Sequence, residues 1–285
     1  MIEKPDRLID EKIEFERSIE SLVKDIEQLL LVESSSGQET ELRNIIGEKL
    51  KGFGYEIRVD DKGNLWAESV EKIEGKILLN SHMDRVGSGT VKRDGDKLVG
   101  RLDDTLGISI MFSLLKEGYR PSMLFTVEEE SEMEVVENGE KKLKNRKLPD
   151  GIYNAGARHA ADELWNSSNK PKLFVTIDVT TLGRPGDGPA IYTSSGLHTL
   201  GKQFYFKPDI LRSIADVVNK EHIGTRYVEG NANDSIEFSF VPNLGVTAIE
   251  IPIENPHSNN ETADVGDVEK TLKVLRIILD KAEEI

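Results

Sequence analysis

The chain has 285 residues, contains no cysteine, and carries a formal net charge of −15 from 37 Lys and Arg against 52 Asp and Glu. A field of this sign repels nucleic-acid phosphates and anionic lipid, so we expect neither nucleic acid nor a membrane among its partners. The lack of cysteine excludes disulfides, thiolate metal ligands and a cysteine nucleophile. The first residues have no apolar core of the kind that a signal peptide needs, and we therefore expect a cytoplasmic protein.

Helical and strand patterns alternate from the first residues onward. Apolar residues recur at helical spacing between Phe15 and Leu30, and a second helix is predicted to end at Gly52. Ser36 and Glu39 have the spacing of a capping box for that second helix. The strands predicted next are residues 55–59, 65–67 and 76–80, followed by a hairpin of residues 90–92 and 97–100 around Asp94-Gly95.

The same alternation continues to the end of the chain and predicts a layered α/β protein. Helices are predicted over residues 104–117, 156–167, 209–220 and 266–283, and strands over residues 122–127, 172–177 and 246–251. We interpret residues 1–285 as a single catalytic domain. The one compositional break is the charged segment of residues 131–154, which we expect to form a loop or a charged hairpin outside the core.

Imidazole and carboxylate side chains follow the carboxyl ends of the predicted strands, where open α/β sheets bind their ligands. These residues are His82 and Asp84, Glu128 to Glu130, Asp178 and His257, and a further pair, Asp103-Asp104, lies between the hairpin and a helix. Histidines and carboxylates without thiolates are the ligand set of a hydrolytic zinc, cobalt or manganese site. Of two adjacent glutamates, one can bind metal while its neighbour abstracts a proton from water.

Each of these features also has an ordinary structural interpretation. His82 and Asp84 alone would more often form a hydrogen-bonded pair, and the three glutamates would form a solvated acidic turn. Asp103-Asp104 alone would most often cap a helix. The coincidence of all of them at consecutive strand ends is what favours one metal site over several unrelated features.

Short motifs along nearly the whole chain resemble those of the co-catalytic dinuclear zinc exopeptidases. The resemblance is strongest to the glutamyl or tetrahedral aminopeptidases, and more distant to the aminoacylases and the carboxypeptidase-G2-like enzymes. The matching segments are Ser34 to Glu39, Asp61 to Leu65, Leu79 to Asp84, Leu102 to Gly107, Thr126 to Glu130, Thr176 to Val179, Gly188 to Ile191, Asn233 to Ser235, and Ile251 to Ser258. The fold that this resemblance implies is a three-layer α/β/α sandwich around a mixed, mostly parallel sheet.

The resemblance also implies a role for each candidate residue. His82, Asp103 and Asp178 would hold one divalent ion, while Asp103, Glu130 and His257 would hold a second, with Asp103 as the bridging ligand. Glu129 would be the general base and Asp84 the orienting carboxylate. The ions would be zinc, with cobalt or manganese as alternatives. A shifted register, with Glu128 as the base and Glu129 as the ligand, stays open.

The predicted function is metal-dependent hydrolysis of amide bonds in short peptides, by an aminopeptidase. Two alternatives remain: a deacylase of N-acyl amino acids, and a catalytically inactive binding module on the same fold. The 18 residues between Asp84 and Asp103 are too few for the dimerisation domain of the close branch, and residues 179–256 are too few for the lid of the distant ones. The shell-like dodecamer that depends on that domain is therefore not implied, although a homo-oligomer stays open.

Two other chemistries match the sequence less well. Gly196 to Lys202 approaches a phosphate-binding loop, but Gln203 stands where a magnesium-binding Ser or Thr is required. Gly107 to Met111 is the nearest match to a nucleophile elbow and lacks its pattern.

Overall fold

The computed structural model describes residues 5–71, 76–130, 134–137, 140–143, 154–197, 202–230 and 233–285. Its helices are α1 (Pro5–Leu29), α2 (Thr40–Gly52), α3 (Thr105–Lys116), α4 (Ala155–Asn166), α5 (Pro208–Lys220), α6 (Ser235–Phe238) and α7 (Val265–Asp280). Its strands are β1 (Glu56–Val59), β2 (Leu65–Glu68), β3 (Ile77–His82), β4 (Val91–Asp94), β5 (Lys97–Gly100), β6 (Ser122–Thr126), β7 (Glu134–Glu137), β8 (Glu140–Leu143), β9 (Leu173–Thr180), β10 (Ala190–Tyr192), β11 (Ser194–Leu197), β12 (Lys202–Tyr205), β13 (Arg226–Val228), β14 (Gly245–Glu254) and β15 (Glu261–Asp264).

Eleven of these strands form one mixed sheet in the order β1-β2-β6-β3-β9-β14-β15-β5-β4, with β10 and β13 attached beside β14. The central strands β6, β3, β9 and β14 run parallel, while both edges are antiparallel. Parallel strands bring their carboxyl ends to the same edge of a sheet. The side chains that follow β3, β6 and β14 therefore meet there.

Alternate residues of the central strands pack into two separate cores, because successive side chains of a strand point to opposite faces. In β9, Leu173, Val175 and Ile177 pack on the face that α1, α2, α3 and α7 cover. Phe174 packs on the other face, with residues of α4 and α6. Helices thus cover both faces of the sheet, which confirms the predicted layered α/β fold.

The central strand and helix predictions hold to within a few residues, with two kinds of difference. The capping box is wrong, since Glu39 precedes α2 without a side-chain cap and Ser36 bonds to Asp84 instead. The short elements β10 to β13, α6 and β15 were not predicted from the sequence. These have only three or four residues each, too few to show a period.

The charged segment 131–154 contains an antiparallel hairpin, β7–β8, and the rest of it lies outside the described residues apart from Asn154. Between Asp84 and Asp103 the structure has the hairpin β4–β5. His198 and most of the rejected phosphate-loop sequence also lie outside the described residues. No helix among the described ranges is both long and apolar enough to span a bilayer.

Candidate metal centre

Strand geometry places one row of polar side chains on the α4/α6 face of the sheet. His82 shares the face of Leu78, and Asp178 shares the face of Phe174, because each is separated from it by an even number of residues. Glu250 lies opposite Asp178 in the β9–β14 register, and Thr126 lies opposite His82 in the β3–β6 register. All four are buried, so the row forms the inner wall of the candidate site.

Asp103 lies between the two histidines, with one carboxylate oxygen toward each. Its Oδ1 is 3.1 Å from His82 Nε2, and its Oδ2 is 3.4 Å from His257 Nε2. Asp178 Oδ1 lies 3.7 Å from the same His82 nitrogen, and Glu130 Oε1 lies 3.5 Å from the same His257 nitrogen. The five residues predicted as metal ligands therefore lie around two histidines, and Asp103 is next to both. Asp104 also has a carboxylate oxygen within 4.8 Å of the ligand atoms of His82 and Asp178.

The neighbouring Asp104 caps the N-terminus of helix α3. Its Oδ1 accepts from the Gly107 backbone N–H at 3.0 Å as the N-cap of α3, and its Oδ2 accepts from the Ser81 hydroxyl. A Cβ at Gly107 would lie 2.5 Å from these oxygens, so only glycine fits. Of the two aspartates, the second caps the helix and the first is left to face the histidines.

Glu261 fixes the backbone that carries Asp103. Its Oε2 accepts from the backbone N–H groups of Leu102, at 2.5 Å, and of Asp103, at 3.1 Å. Its Oε1 accepts from Arg101 Nη1 at 2.9 Å, and the Glu261 side chain is fully buried. A buried ion pair of this kind holds a loop in place only while both partners remain.

The glutamate loop after β6 is held by carboxylates from elsewhere in the chain. Asp84 accepts from the backbone N–H of Glu129 at 2.9 Å and of Glu130 at 2.8 Å, and also from Ser36 Oγ at 2.5 Å. The imidazole Nδ1 of His82 lies 2.9 Å from the backbone oxygen of Asp84, closer than the 3.5 Å to its carboxylate. The carboxylate of Asp84 therefore orients the glutamates, while its carbonyl orients the histidine.

Glu128 faces away from the centre. Its backbone has a positive φ of 56°, its N–H donates to Glu39 Oε1 at 3.2 Å, and its carboxylate pairs with Lys62 at 2.7 Å. The side chains of Glu129 and Glu130, in contrast, have ligand atoms within 4.8 Å of those of His82. This geometry supports the unshifted register.

A second set of hydrogen bonds, made by Asn64, connects the glutamate loop to α4. Asn64 Oδ1 accepts from the Val127 backbone N–H at 3.1 Å, and its Nδ2 donates to Gly156 O at 2.9 Å. Asp60 accepts from Asn64 and from the Trp66 indole, at 2.8 and 3.0 Å. A Cβ at Gly156 would lie 2.3 Å from Val127 O, so α4 can approach the loop only with glycine there. The start of α4 thus packs directly against the residues that lead into the glutamate loop.

Burial and mutual repulsion control the charges of the centre. Burial raises the pKa of Glu129, helped by the charges of Asp178 and Asp234, and burial also raises the pKa of Glu130, helped by Asp103. Burial opposes a charged His82, but hydrogen bonds to Asp103 and Asp178 prevail and leave its pKa well above 6.5. So dense a group of acids binds either protons or cations.

The side chains present fit divalent ions. Two ligand atoms in a tetrahedral zinc site with bonds of about 2.0–2.2 Å lie about 3.3–3.6 Å apart. The distances from His257 Nε2 to Asp103 and Glu130, 3.4 and 3.5 Å, fall in that range. Those from His82 Nε2 to Asp103 and Asp178, 3.1 and 3.7 Å, lie just below and just above it. Glu130 Oε2 is also buried, and among the residues that the structure describes it has no hydrogen-bond partner, which is costly for a carboxylate unless a cation binds it. The donors are imidazole and carboxylate only, as zinc, cobalt or manganese accept.

Several residues of the site were missed as site residues by the sequence analysis. Asp234 and Glu250 are buried acids on the inner wall, and Asn233 Nδ2 donates to Glu250. Asn233 and Asp234 stood in a recognised motif, but no local pattern ties either to β9 or β6. Glu250 sits inside a long apolar strand, and an acid inside a buried strand is itself a signal that could have found it.

The fold is shared with several peptidases of known structure. The aminopeptidase APDkam598 from the archaeon Desulfurococcus kamchatkensis superposes with a TM-score of 0.71 at 15% identity, over 92% of this chain and 96% of that one. A TET aminopeptidase from a marine sediment archaeon of the Thaumarchaeota gives 0.70 at 12% identity, over 93% and 99% of the two chains. The aminopeptidase PepT from Bacillus cereus gives 0.68 at 14% identity, over 93% and 98%. No protein-family model matches the chain, and no curated protein matches its sequence.

Proposed function

We propose that this chain is a dinuclear metallo-aminopeptidase that cleaves the first residue from short peptides. The observation that carries the proposal is Asp103, whose two oxygens face two histidines of separate acidic groups. A carboxylate that faces both histidines could be shared by two adjacent ions. The peptidase names of proteins with the same fold agree with it.

The two groups of side chains define which residues would hold the ions. His82, Asp103 and Asp178 would hold one, and Asp103, Glu130 and His257 the other. When bound, two divalent ions, zinc by the nature of the donors, would polarise the scissile carbonyl and lower the pKa of the attacking water. The proton transfer and the orientation of the reacting groups would come from the chain's own side chains.

Glu129 would act as the general base. Asp84 fixes its backbone by accepting from its N–H at 2.9 Å, and its carboxylate lies beside His82, within reach of both groups of candidate ligands. It would take the proton from the attacking water and return it to the leaving amine, which balances the hydrolysis. Asp84 would be the orienting carboxylate for this step, acting through the two N–H groups of the glutamate loop.

The deacylase alternative uses the same metal chemistry and differs only in the substrate group next to the cleaved bond. The inactive-module alternative is less well supported, since both candidate ligand groups and the base are present. Glu130 Oε2, buried and without a hydrogen-bond partner within the described ranges, would destabilise a protein that binds no cation.

The proposal is tested by loading the protein with zinc, cobalt or manganese and assaying dipeptides with free amines beside N-acetyl amino acids. We expect bound metal and release of amino acids from the dipeptides. Glu129→Gln should keep the metal and lose about a hundredfold or more of the rate, because only proton transfer is removed.

The matched control is Glu128→Gln, which removes a charge one residue away that pairs with Lys62. It should leave the rate within about twofold. Loss of activity with Glu128→Gln, together with loss of metal in Glu129→Gln, would establish the shifted register instead. Absence of bound metal in the wild-type protein would overturn the proposal.

A further inference from the structure

Three consecutive backbone N–H groups of the glutamate loop donate to two buried carboxylates. The N–H of Glu128 donates to Glu39 Oε1 at 3.2 Å, and those of Glu129 and Glu130 donate to Asp84 at 2.9 and 2.8 Å. The proposed base and the proposed ligand are therefore positioned through their backbone by side chains from elsewhere in the chain. Asp84 already has a role in the proposed function, whereas Glu39 has none.

Glu39 is held in place by the turn that precedes α2. The residue is 4% exposed, and its Oε1 also accepts from the backbone N–H of Gly37 at 2.7 Å. Ser36, in the same turn, donates its hydroxyl to Asp84 Oδ2 at 2.5 Å. Burial, helped by the nearby charge of Asp84, raises the pKa of Glu39 to about 7, so the two carboxylates also act on each other. The turn of residues 36–39 thus supports both carboxylates that hold the glutamate loop.

The backbone of Glu128 depends on such a contact, because its φ of 56° lies in the left-handed region. That region is unfavourable for a residue with a Cβ, and it persists in native proteins where surrounding contacts enforce it. The carboxylate of Glu128 also pairs with Lys62 at 2.7 Å, but both side chains are partly exposed, and ion pairs of that kind contribute little. The hydrogen bond to the buried Glu39 is therefore the stronger restraint.

A change of φ at Glu128 would move the two glutamates that follow it. The peptide planes are rigid, so the direction of Glu129 and Glu130 depends on the φ and ψ of Glu128. With a negative φ there, the loop would turn these residues away from Asp84 and His82, which they face in the structure. Misplacement of a catalytic group by about 1 Å costs about a hundredfold in rate. A residue that fixes this φ therefore influences the reaction without touching the reacting atoms.

We propose that Glu39 is a positioning residue, which holds Glu128 in its left-handed conformation and so directs Glu129 and Glu130 at the candidate metal centre. The proposal rests on the proposed function for the roles of those two glutamates. It adds a residue that lies outside the candidate ligands and the base. It also gives a function to the turn of residues 36–39, whose predicted role as a capping box is wrong.

The test compares Glu39→Ala and Glu39→Gln with a matched control, Glu41→Gln. Glu41 is an exposed acid in the first turn of α2, on the same segment as Glu39. Each protein is titrated with zinc by calorimetry, which reports the two proposed ion sites separately, and kcat and KM are measured on a dipeptide. Hydrogen exchange at the Glu129 and Glu130 amides is measured on the metal-free proteins.

Glu39→Ala should lower kcat by about 10- to 100-fold and weaken the ion that Glu130 would hold by about tenfold, because the base and this ligand lose their orientation. KM and the affinity for the other ion should change by less than about threefold. Exchange at the Glu129 and Glu130 amides should become at least about tenfold faster. Glu39→Gln keeps an acceptor oxygen, so its kcat should exceed that of Glu39→Ala by at least about fivefold. Glu41→Gln should change none of these values by more than about twofold.

Glycine at position 128 separates a positioning role from a loss of stability. Glycine adopts a positive φ without the cost that a Cβ brings, so Glu128→Gly should compensate for the missing contact. In the Glu39→Ala protein it should recover about 3- to 10-fold of kcat, of the zinc affinity and of the amide protection. In the wild-type protein it should bring no gain, because Glu39 already enforces the conformation. Additive losses from the two substitutions would overturn the assignment, and so would a Glu39→Ala protein that matches Glu41→Gln.

If Glu39→Ala does not fold, Glu39→Asp takes its place. This variant keeps the charge but withdraws the carboxylate by one methylene, so it must show the same losses of kcat and amide protection and the same recovery with Glu128→Gly. Absence of that recovery would overturn the assignment. A wild-type protein that binds no zinc and cleaves no dipeptide would instead overturn the proposed function. Amide exchange in the metal-free variants would still decide whether Glu39 holds the loop.

Discussion

The two ends of the candidate metal centre are built differently. His82 ends a fully buried central strand, and its ring is held by the Asp84 carbonyl at 2.9 Å. His257 lies in the loop after β14, in a backbone conformation with φ of 56°, and is 28% exposed. Asp178, the partner of His82, also lies within a strand, whereas Glu130, the partner of His257, lies in a loop.

This difference suits the two ends to different roles, because one end can hold its ion firmly while the other admits substrate. Ligands on adjacent parallel strands keep their spacing without any ion, because the sheet fixes their backbones. Ligands on loops keep theirs only through side-chain contacts, such as those of Asp84 with the glutamate loop. We therefore expect the buried end to bind its ion more tightly, and the open end to exchange its ion and admit substrate.

The largest effect should come from Asp103, which belongs to both ends. Asp103→Ala should lose both ions and reduce the rate by about a thousandfold or more, since several kcal/mol of metal-dependent stabilisation are removed. The measurements are metal content after dialysis and kcat/KM on a dipeptide. The control is Asp94→Asn, an exposed carboxylate at the end of β4. Retention of two ions by Asp103→Ala would contradict the bridging role.

The next effect distinguishes the two ends directly. A calorimetric zinc titration of the wild-type protein should show a tight and a weaker step. His257→Ala should abolish the weaker step and preserve the tight one, whereas His82→Ala should abolish the tight one. Loss of the tight step in His257→Ala would reverse the comparison, because the loop would then hold the better site.

The parts of the site that follow strand patterns could be predicted from the sequence. His82 ends β3, the glutamates follow β6, and Asp178 lies two residues before the end of β9, so the direction of the parallel strands brings them to one edge of the sheet. The choice of Asp103 over Asp104 as the metal ligand required the family resemblance, because either residue can cap a helix. In the structure the two are separated by the contacts of Asp104 with Gly107 and Ser81 and by those of Asp103 with the two histidines.

The parts that depend on contacts between distant segments could not be predicted. Ser36 and Glu39 match a capping box locally, but tertiary contacts with Asp84 and the Glu128 N–H override that local preference. Asp234 reaches Thr126 across 108 residues of sequence. Nothing in a short window of sequence encodes such a pairing.

A smaller effect concerns how the buried end responds to pH without metal. Burial, helped by the charge of Asp178, raises the pKa of Asp234 to about 7 and that of Glu250 to about 8. An acid with a raised pKa in the folded state holds its proton over a range in which the unfolded chain has lost it. The free energy of unfolding of the metal-free protein should therefore fall as pH rises from about 4 to 8, by up to about 1.4 kcal/mol per pH unit for each such group.

His82 acts in the same direction, since its pKa is raised and its contribution is lost as pH rises through that value. The measurement is urea unfolding at pH 5, 6, 7 and 8, with and without saturating zinc. Bound zinc replaces the protons, so it should remove or reverse the slope. If the free energy of unfolding of the metal-free protein instead rises between pH 5 and 8, these acids are ionised in the folded state. The buried end would then be hydrated despite its low exposure.

The smallest effect concerns the open end and the charged segment 131–154. This segment starts directly after Glu130, contains the hairpin β7–β8, and returns at Asn154, whose Nδ2 donates to Asn233 O at 3.0 Å. One end therefore follows directly on the candidate ligand Glu130, whose partner His257 lies at the open end, and we expect the segment to border that end and to influence which substrates enter. Replacing residues 134–152 by a short Gly/Ser linker keeps both attachments, so metal content should stay at the wild-type value. The ranking of kcat/KM across dipeptides and longer peptides should change by a few-fold, or the mass in solution should change if the segment contributes to self-association. An unchanged ranking together with an unchanged mass would leave the loop that carries His257 as the sole source of selectivity at the open end.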